Sequence, residues 1–280
     1  MRYKITADST CDLGRDLIER YDIGILPLYV QLGEKTYRDG IDIQPDDIYA
    51  HVAAGGGLAT TAAVNLADYV RAFTELSDRY DFVIHVNISS DFSCSHQNAK
   101  LAAADLPNVY VVDSRNLSTG QGHIVLEAAR MIEEGTGLDE IKAHLLSRRP
   151  HMCQFFTVDD LAYLKRGGRI SSATALIGTV LSIKPILCGD ETGHIVSCGK
   201  VRGMKRAYQE LANYYDGRAL DKSEMLGIAH ADNEEGAQAL IALLRDKGFT
   251  GECLNVVYEP VTGAHVGPGT VALFFYGTEK

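Results

Sequence analysis

The sequence predicts an α/β protein of two domains, residues 1–150 and 151–280, and three observations lead there. In the first half, short apolar and partly β-branched runs alternate with stretches of helical periodicity, the rhythm of a parallel sheet covered by helices. Near Arg149-Pro150 the rhythm changes to a hairpin signal and helix–strand repeats, which suit a mixed or antiparallel sheet. The chain has 280 residues, 46% hydrophobic and 23% charged, enough for two modest cores at the composition of a folded protein.

The elements follow in order. Residues 3–7 read as a strand ending in Asp8-Ser9-Thr10, and Leu13, Leu17 and Ile18 mark one face of a helix. Residues 23–32 read as one strand, turned at Gly33-Glu34 into a partner around Thr36-Tyr37. Pro45-Asp46-Asp47 starts a helix, with proline in the first turn and acids beside its positive end, and Gly55-Gly56-Gly57 stops it. Leu66, Tyr69, Val70, Phe73 and Leu76 share a helical face, and residues 82–86 form a buried parallel strand. A polar loop over 87–95, a helix over 97–104, a strand over 109–112 and helices over 124–134 and 138–148 complete this half. In the second half a strand ends at Phe155-Phe156, and Lys165-Arg166-Gly167-Gly168-Arg169 reads as a flexible basic loop. Residues 185–187 and 194–197 flank a hairpin turn at 189–193; two helix–strand repeats and a last strand over 271–276 follow.

Composition narrows the function. A formal net charge of −10 argues against a nucleic-acid footprint and against more than transient contact with anionic membranes. Neither a signal-like apolar stretch at the start nor an apolar run of the ~20 residues needed to span a membrane is found, so a cytoplasmic location is expected. The six cysteines are scattered without a Cys-x-x-Cys pair and read as reduced thiols. No His, Cys and carboxylate group has metal-ligand spacing, so neither a metal nor another cofactor is expected.

Several stretches carry possible chemistry. Ile88-Ser89-Ser90-Asp91-Phe92-Ser93-Cys94-Ser95-His96-Gln97 joins a strand to a helix, where hydroxyls and free N–H groups converge to seat a carboxylate or phosphate, or merely cap the helix. Thr60-Thr61 has the same two readings. His265 precedes Val266-Gly267-Pro268-Gly269, a tight turn that holds it in one place. Lys165 to Ser172 reads as a phosphate cradle or as a hinge with solvated charges. Asp8, Asp12 and Asp113 stand at strand ends, with helix capping the preferred reading. Gly193 to Lys200 fails as a P-loop, having five residues between its glycines and Val201 in place of the hydroxyl. No Gly-x-Ser-x-Gly elbow occurs.

In order along nearly the whole chain, Ala7-Asp8-Ser9-Thr10, Tyr37-Arg38-Asp39-Gly40, Thr61, Ser89-Ser90-Asp91-Phe92-Ser93, Asp113-Ser114, Leu161-Ala162-Tyr163-Leu164-Lys165-Arg166-Gly167-Gly168-Arg169-Ile170, Ile183-Lys184-Pro185-Ile186-Leu187 and His265-Val266-Gly267-Pro268-Gly269 resemble the DegV family, the bacterial fatty-acid-binding proteins of the FakB type. The resemblance implies a two-domain α/β fold with an acyl chain buried between the domains, the N-terminal one similar to those of dihydroxyacetone kinase and the mannose-type IIA phosphotransferases. It implies that Thr61, Ser93 and His265 hold the ligand carboxylate, with Arg169 beside them. It further implies that a separate dihydroxyacetone-kinase-like fatty-acid kinase converts the bound acid to an acyl phosphate for phospholipid synthesis. Two departures stand out: Thr61-Ala62-Ala63-Val64-Asn65 where the family has Thr-Ser-Gln-Pro-Ser, and Ser93-Cys94-Ser95 where it has Ser-Gly-Thr.

The expectation is therefore a carrier of a long-chain fatty acid and not an enzyme. Two alternatives stand beside it: a serine hydrolase with Ser93 as nucleophile, His265 as base and an aspartate as orienter, and a carrier of another hydrophobic acid working without a kinase.

Overall fold

The computed structural model describes residues 1–170 and 182–280. Its N-terminal part runs β1 (Tyr3–Asp8), a 3₁₀ turn (Ser9–Cys11), α1 (Arg15–Arg20), β2 (Gly24–Leu26), β3 (Tyr29–Leu32), β4 (Lys35–Arg38), α2 (Pro45–Ala53), β5 (Thr60–Ala62), α3 (Leu66–Arg79), β6 (Phe82–Asn87), α4 (Ser95–Ala102), β7 (Val109–Asp113), α5 (Ser118–Glu133) and α6 (Leu138–Arg148). There follow β8 (Met152–Thr157), α7 (Ala162–Gly167), β9 (Ile183–Gly189), β10 (Ile195–Arg202), α8 (Met204–Arg218), β11 (Leu226–His230), α9 (Glu234–Asp246), β12 (Cys253–Val257), α10 (Pro260–Val266) and β13 (Val271–Tyr276).

Among the described residues these strands build three sheets. The first is parallel, in the order β2-β1-β6-β7. The second has the order β10-β9-β8-β13-β11-β12 and is antiparallel except for the β11–β12 pair. The two-domain α/β architecture, one parallel and one mixed sheet, is as the sequence implied. A third, three-stranded antiparallel sheet, β4-β3-β5, lies beside the first.

That small sheet corrects one expectation. The strand read over 23–32 is two strands in two sheets, because Pro27 has no N–H for a ladder and Leu28 donates its own to Ser9 Oγ at 3.0 Å. The chain thus steps from β2 of the parallel sheet into β3. Thr60-Thr61 caps no helix: it lies in β5, and Asn65 is the N-cap of α3, its side chain accepting from Asp68 N. Lys165 to Gly167 are not a flexible loop but the end of α7, closed by Gly168 at φ 69°. Ser171-Ser172, named with that loop in the cradle reading, lie outside the described residues. α5 starts at Ser118, six residues before Ile124, because its first turns are polar or glycine and conceal the apolar period.

α5 explains how the two large sheets come together. It is buried on almost every face and packs against β1 and β6 on one side and β11, β13 and β8 on the other. Small residues permit this: a Cβ on Gly122 would lie 2.8 Å from the Cys11 carbonyl oxygen and 2.9 Å from Leu13. The break between β1 and β6 in strand order, where successive connections leave in opposite directions, opens a crevice at the C-terminal strand ends. The loops after β1 and β6 line it. Gly122→Ala is expected to lower stability by about 1–3 kcal/mol through overpacking, read as a lower urea midpoint with an unchanged slope. Gly137→Ala, where an added Cβ meets nothing within 4 Å, serves as the control and should shift stability by less than about 0.5 kcal/mol.

Candidate functional site

The loop after β6 is held from below by a buried carboxylate. Asp8, at the end of β1, accepts from Ile88 N at 2.7 Å, from the Asn87 amide at 3.1 Å, from the Gln121 amide at 3.1 Å and from the Thr10 hydroxyl. Burial raises its pKa, and the four donors work against that rise. Asp8 is therefore no helix cap; it anchors the loop that carries Ser93. Asp113 likewise brackets a turn, accepting from Ser90 N, Ser90 Oγ and Arg115 N.

The other side of the site comes from α10, more than 160 residues further along the chain. Its first turn docks on two further buried acids: Val261 N donates to Asp39 Oδ1 at 2.8 Å and Glu259 N to Asp12 Oδ1 at 3.3 Å. Ser9 Oγ donates to the other Asp39 oxygen at 2.6 Å. Desolvation pushes Asp39 up to about 7, and raises Asp12 well above the usual carboxylate range. At the far end of α10, His265 Nε2 lies 2.8 Å from Thr61 Oγ1 on β5. Gly167 of α7 permits this placement, since a Cβ there would sit 2.2 Å from His265 Nδ1.

Ser93 Oγ lies 2.9 Å from Ser95 Oγ and accepts from Ser95 N at 3.2 Å. Arg169 donates through Nε and Nη2 to the Phe92 carbonyl at 3.1 and 3.0 Å, clamping the end of α7 to the Ser93 loop. Thr61, Ser93, Arg169 and His265 line one cavity of about 760 Å³, open mouth included. Its walls are apolar and come from both halves of the chain, Ile88, Phe92 and Leu117 facing Leu164, Ile195 and Val266. A second, more polar hollow of about 440 Å³, lined by Thr60, Tyr163 and Arg166, shares Thr61, Arg169 and His265 with it.

The four residues expected at one site are thus brought together. Sequence reasoning passed over Thr10 and Thr262, which also line the cavity, and Asp39, which holds α10. Asp39 was on view inside Tyr37-Arg38-Asp39-Gly40, but its partner is a backbone N–H with no sequence signal. The hydrolase arrangement is not assembled: Ser93 Oγ bonds to Ser95, His265 Nε2 bonds to Thr61, and no bond between Ser93 and His265 is formed. Among the described residues no cluster of three metal-ligating side chains occurs, and no helix is long and apolar enough to cross a membrane.

A largely apolar cavity between a parallel-sheet domain and a mixed-sheet domain, lined also by hydroxyls and an imidazole, defines a two-domain α/β protein. The chain belongs to the DegV family: the family model "Uncharacterised protein, DegV family" matches residues 2–278. Protein DegV of Bacillus subtilis is 34% identical over 277 residues, 98% of each chain. A DegV domain-containing protein of Caldanaerobacter subterraneus is 33% identical over 274 residues, 97% of each. Among solved structures, a fatty-acid-binding DegV family protein from Thermus thermophilus superposes with a TM-score of 0.92 at 35% identity, covering 99% of this chain and 100% of that one. DegV of Bacillus subtilis, a fatty acid binding protein, superposes with a TM-score of 0.87 at 32% identity over 98% of both.

The state of His265 gives a test. Desolvation, with Arg169 nearby, lowers its pKa to about 4, so the free protein holds a neutral imidazole at pH 7. The unfolded chain takes up this proton first, near pH ~6.5. The ring's contribution to stability is therefore complete above that pH and declines as pH falls towards 4. In a nitrogen-15 NMR titration His265 is expected to titrate near pH 4, and a bound carboxylate is expected to raise that midpoint by favouring the imidazolium. A midpoint near 6.5, unmoved by ligand, would contradict the placement.

Proposed function

We propose that the protein is a cytoplasmic carrier that encloses one long-chain fatty acid between units 1–150 and 151–280. Its carboxylate is held by Thr61, Ser93 and His265, with Arg169 fixing the Ser93 loop and adding positive charge at the rim. The bound acid is presented to a dihydroxyacetone-kinase-like fatty-acid kinase, which converts it to an acyl phosphate for phospholipid synthesis, and the carrier itself performs no chemistry.

The observation that carries this reading is one cavity with mostly apolar walls that Thr61, Ser93, Arg169 and His265 line together. An acyl chain of about fifteen methylenes offers on the order of 12 kcal/mol of gross burial, at ~0.8 kcal/mol each. Ordering and association costs remove much of it and still leave room for sub-micromolar binding. An ionised head group inside a protein needs partners, and the rim supplies them from opposite sides, a hydroxyl on the α4 loop and a Thr–His pair joining β5 to α10. Two relatives above 30% identity that bind fatty acids add support. The polar hollow beyond Thr61 and His265 gives a kinase a route to the carboxylate.

Organic extraction of the purified protein followed by mass spectrometry is expected to release a long-chain fatty acid. A protein that is repeatedly empty, and binds no added acid, refutes the carrier. Ser93→Ala with His265→Ala is expected to weaken binding by on the order of 100-fold, the loss of two hydrogen bonds to a charged group. With a dihydroxyacetone-kinase-like partner and ATP, the loaded carrier is expected to yield acyl phosphate; binding without such turnover would leave a carrier that works without a kinase.

A further inference from the structure

Thr61 stands on a strand with little support of its own. β5 has three residues, is an edge of the small sheet and pairs with β3 alone. Beyond Ala62 the chain leaves that sheet, and three residues after Thr61 it meets the first turn of α4, the helix that follows Ser93. There the peptide groups on both sides of Val64 are gripped. The Val64 N–H donates to Ser95 Oγ at 3.3 Å, and the Asn98 amide donates to the Val64 carbonyl at 2.8 Å. Both directions are fixed, since a backbone N–H only donates and a carbonyl only accepts.

Ser95 and Asn98 are three residues apart and so share one face of α4. Val64 is buried in an apolar cluster with Ala99 of the same helix, Tyr69 and Phe73, and its peptide groups must find their partners within the protein. Ser95 also reaches the other half of the site. Its backbone N–H donates to Ser93 Oγ at 3.2 Å, and the two hydroxyl oxygens are 2.9 Å apart. One helical turn is therefore bonded both to Ser93 and to the segment that continues from Thr61, and these two residues line the same cavity. Val64 stands where the family pattern has proline, a residue with no N–H to give. The bond to Ser95 thus depends on this chain's own residue at that place.

We infer that Ser95 and Asn98 are positioning residues that set the distance between Thr61 and Ser93, so that both hydroxyls reach the two oxygens of one carboxylate. The clamp presupposes the proposed carboxylate seat and fixes its width. Neither Ser95 nor Asn98 lines the cavity; each acts through Val64. Thr61 is placed by the small sheet and Ser93 by the loop after β6 of the parallel sheet. A small slip between the two would leave one hydroxyl beyond hydrogen-bond reach of the head group. An alcohol, with a single oxygen, needs only one of the two walls and is insensitive to that span.

Asn98→Ala removes one grip on Val64 from outside the cavity wall. Isothermal titration with hexadecanoate and with hexadecan-1-ol reads its effect on each head group. Asn98→Ala is expected to weaken hexadecanoate about 5-fold, the worth of one hydrogen bond to the head group, and to change hexadecan-1-ol less than about 2-fold. Val64→Pro removes the N–H bonded to Ser95 and leaves the Ser95 hydroxyl beside Ser93, and it is expected to act in the same direction. Should that variant fail to fold, seen as loss of a cooperative urea transition, Asn98→Ala decides alone. A double-mutant cycle separates positioning from general destabilisation. With Ser93→Ala in place the span no longer matters, so adding Asn98→Ala is expected to weaken hexadecanoate less than about 2-fold further. Additive losses in the cycle, equal losses for both ligands, or no loss for hexadecanoate would overturn the clamp. Wild-type protein that binds no hexadecanoate, or a Ser93→Ala variant that binds it unchanged, would instead remove the carboxylate seat.

Discussion

The site depends on the docking of α10 onto two carboxylates that are themselves buried. His265 belongs to a segment between β12 and β13 of the mixed sheet, yet it must meet Thr61 on a small sheet attached to the other domain. The first-turn N–H groups of α10 lack intrahelical acceptors, as at the start of any helix, and here Asp39 and Asp12 accept from that turn and the residue before it. The same bonds keep buried acids from being left bare, which would be costly. Each side thus satisfies the other, and the two domains are held in register where the cavity opens. Burial raises the pKa of both acids and of Glu259 beside them.

A second constraint is the empty volume. Interiors are otherwise close-packed, and clusters around Phe155, Phe156 and Phe274 or around Tyr69 and Phe73 conform to that. Between the domains the packing stops short. The apolar wall residues are leucine, isoleucine and valine apart from Phe92, Ala62 and Ala63, and of the cavity's threonine hydroxyls that of Thr10 is bonded back to Asp8 and Gln121. An interior of this kind is stabilised by what fills it, since a ligand that binds only the folded chain adds to its stability.

The two departures from the family pattern fall beside Thr61 and Ser93. Ala62, Ala63 and Cys94 adjoin Thr61 and Ser93 and line the same cavity, and Cys94 is exposed. Ala62 and Ala63 remove bulk and hydrogen-bonding capacity beside Thr61, while Cys94 adds a side chain beside Ser93. Leu117, Ile195 and Val266 line the same cavity, and none of them belongs to those departures.

Much of the fold was legible along the chain. The parallel strands announced themselves as short apolar runs, the hairpin at Asp190 by its glycines, and α9 by its periodicity, because these signals arise from neighbours in sequence. The split at Pro27 was also written there, in a residue without an N–H, but the continuous apolar pattern of 23–32 outweighed it. The start of α5 resisted for the opposite reason: its first six residues are polar or glycine and yet buried, so they show no amphipathic period. Of the site, Thr61, Ser93, Arg169 and His265 were named from motifs, yet their convergence was not contained in any of them. The contacts that join them run between residues 77 to 222 positions apart, from Arg169 to Phe92, Thr61 to His265 and Asp39 to Val261. Local sequence determines which groups are available and how the backbone near them turns. Only packing across the domain joint decides which of them meet, because a hydrogen bond between distant segments depends on the burial that brings both there.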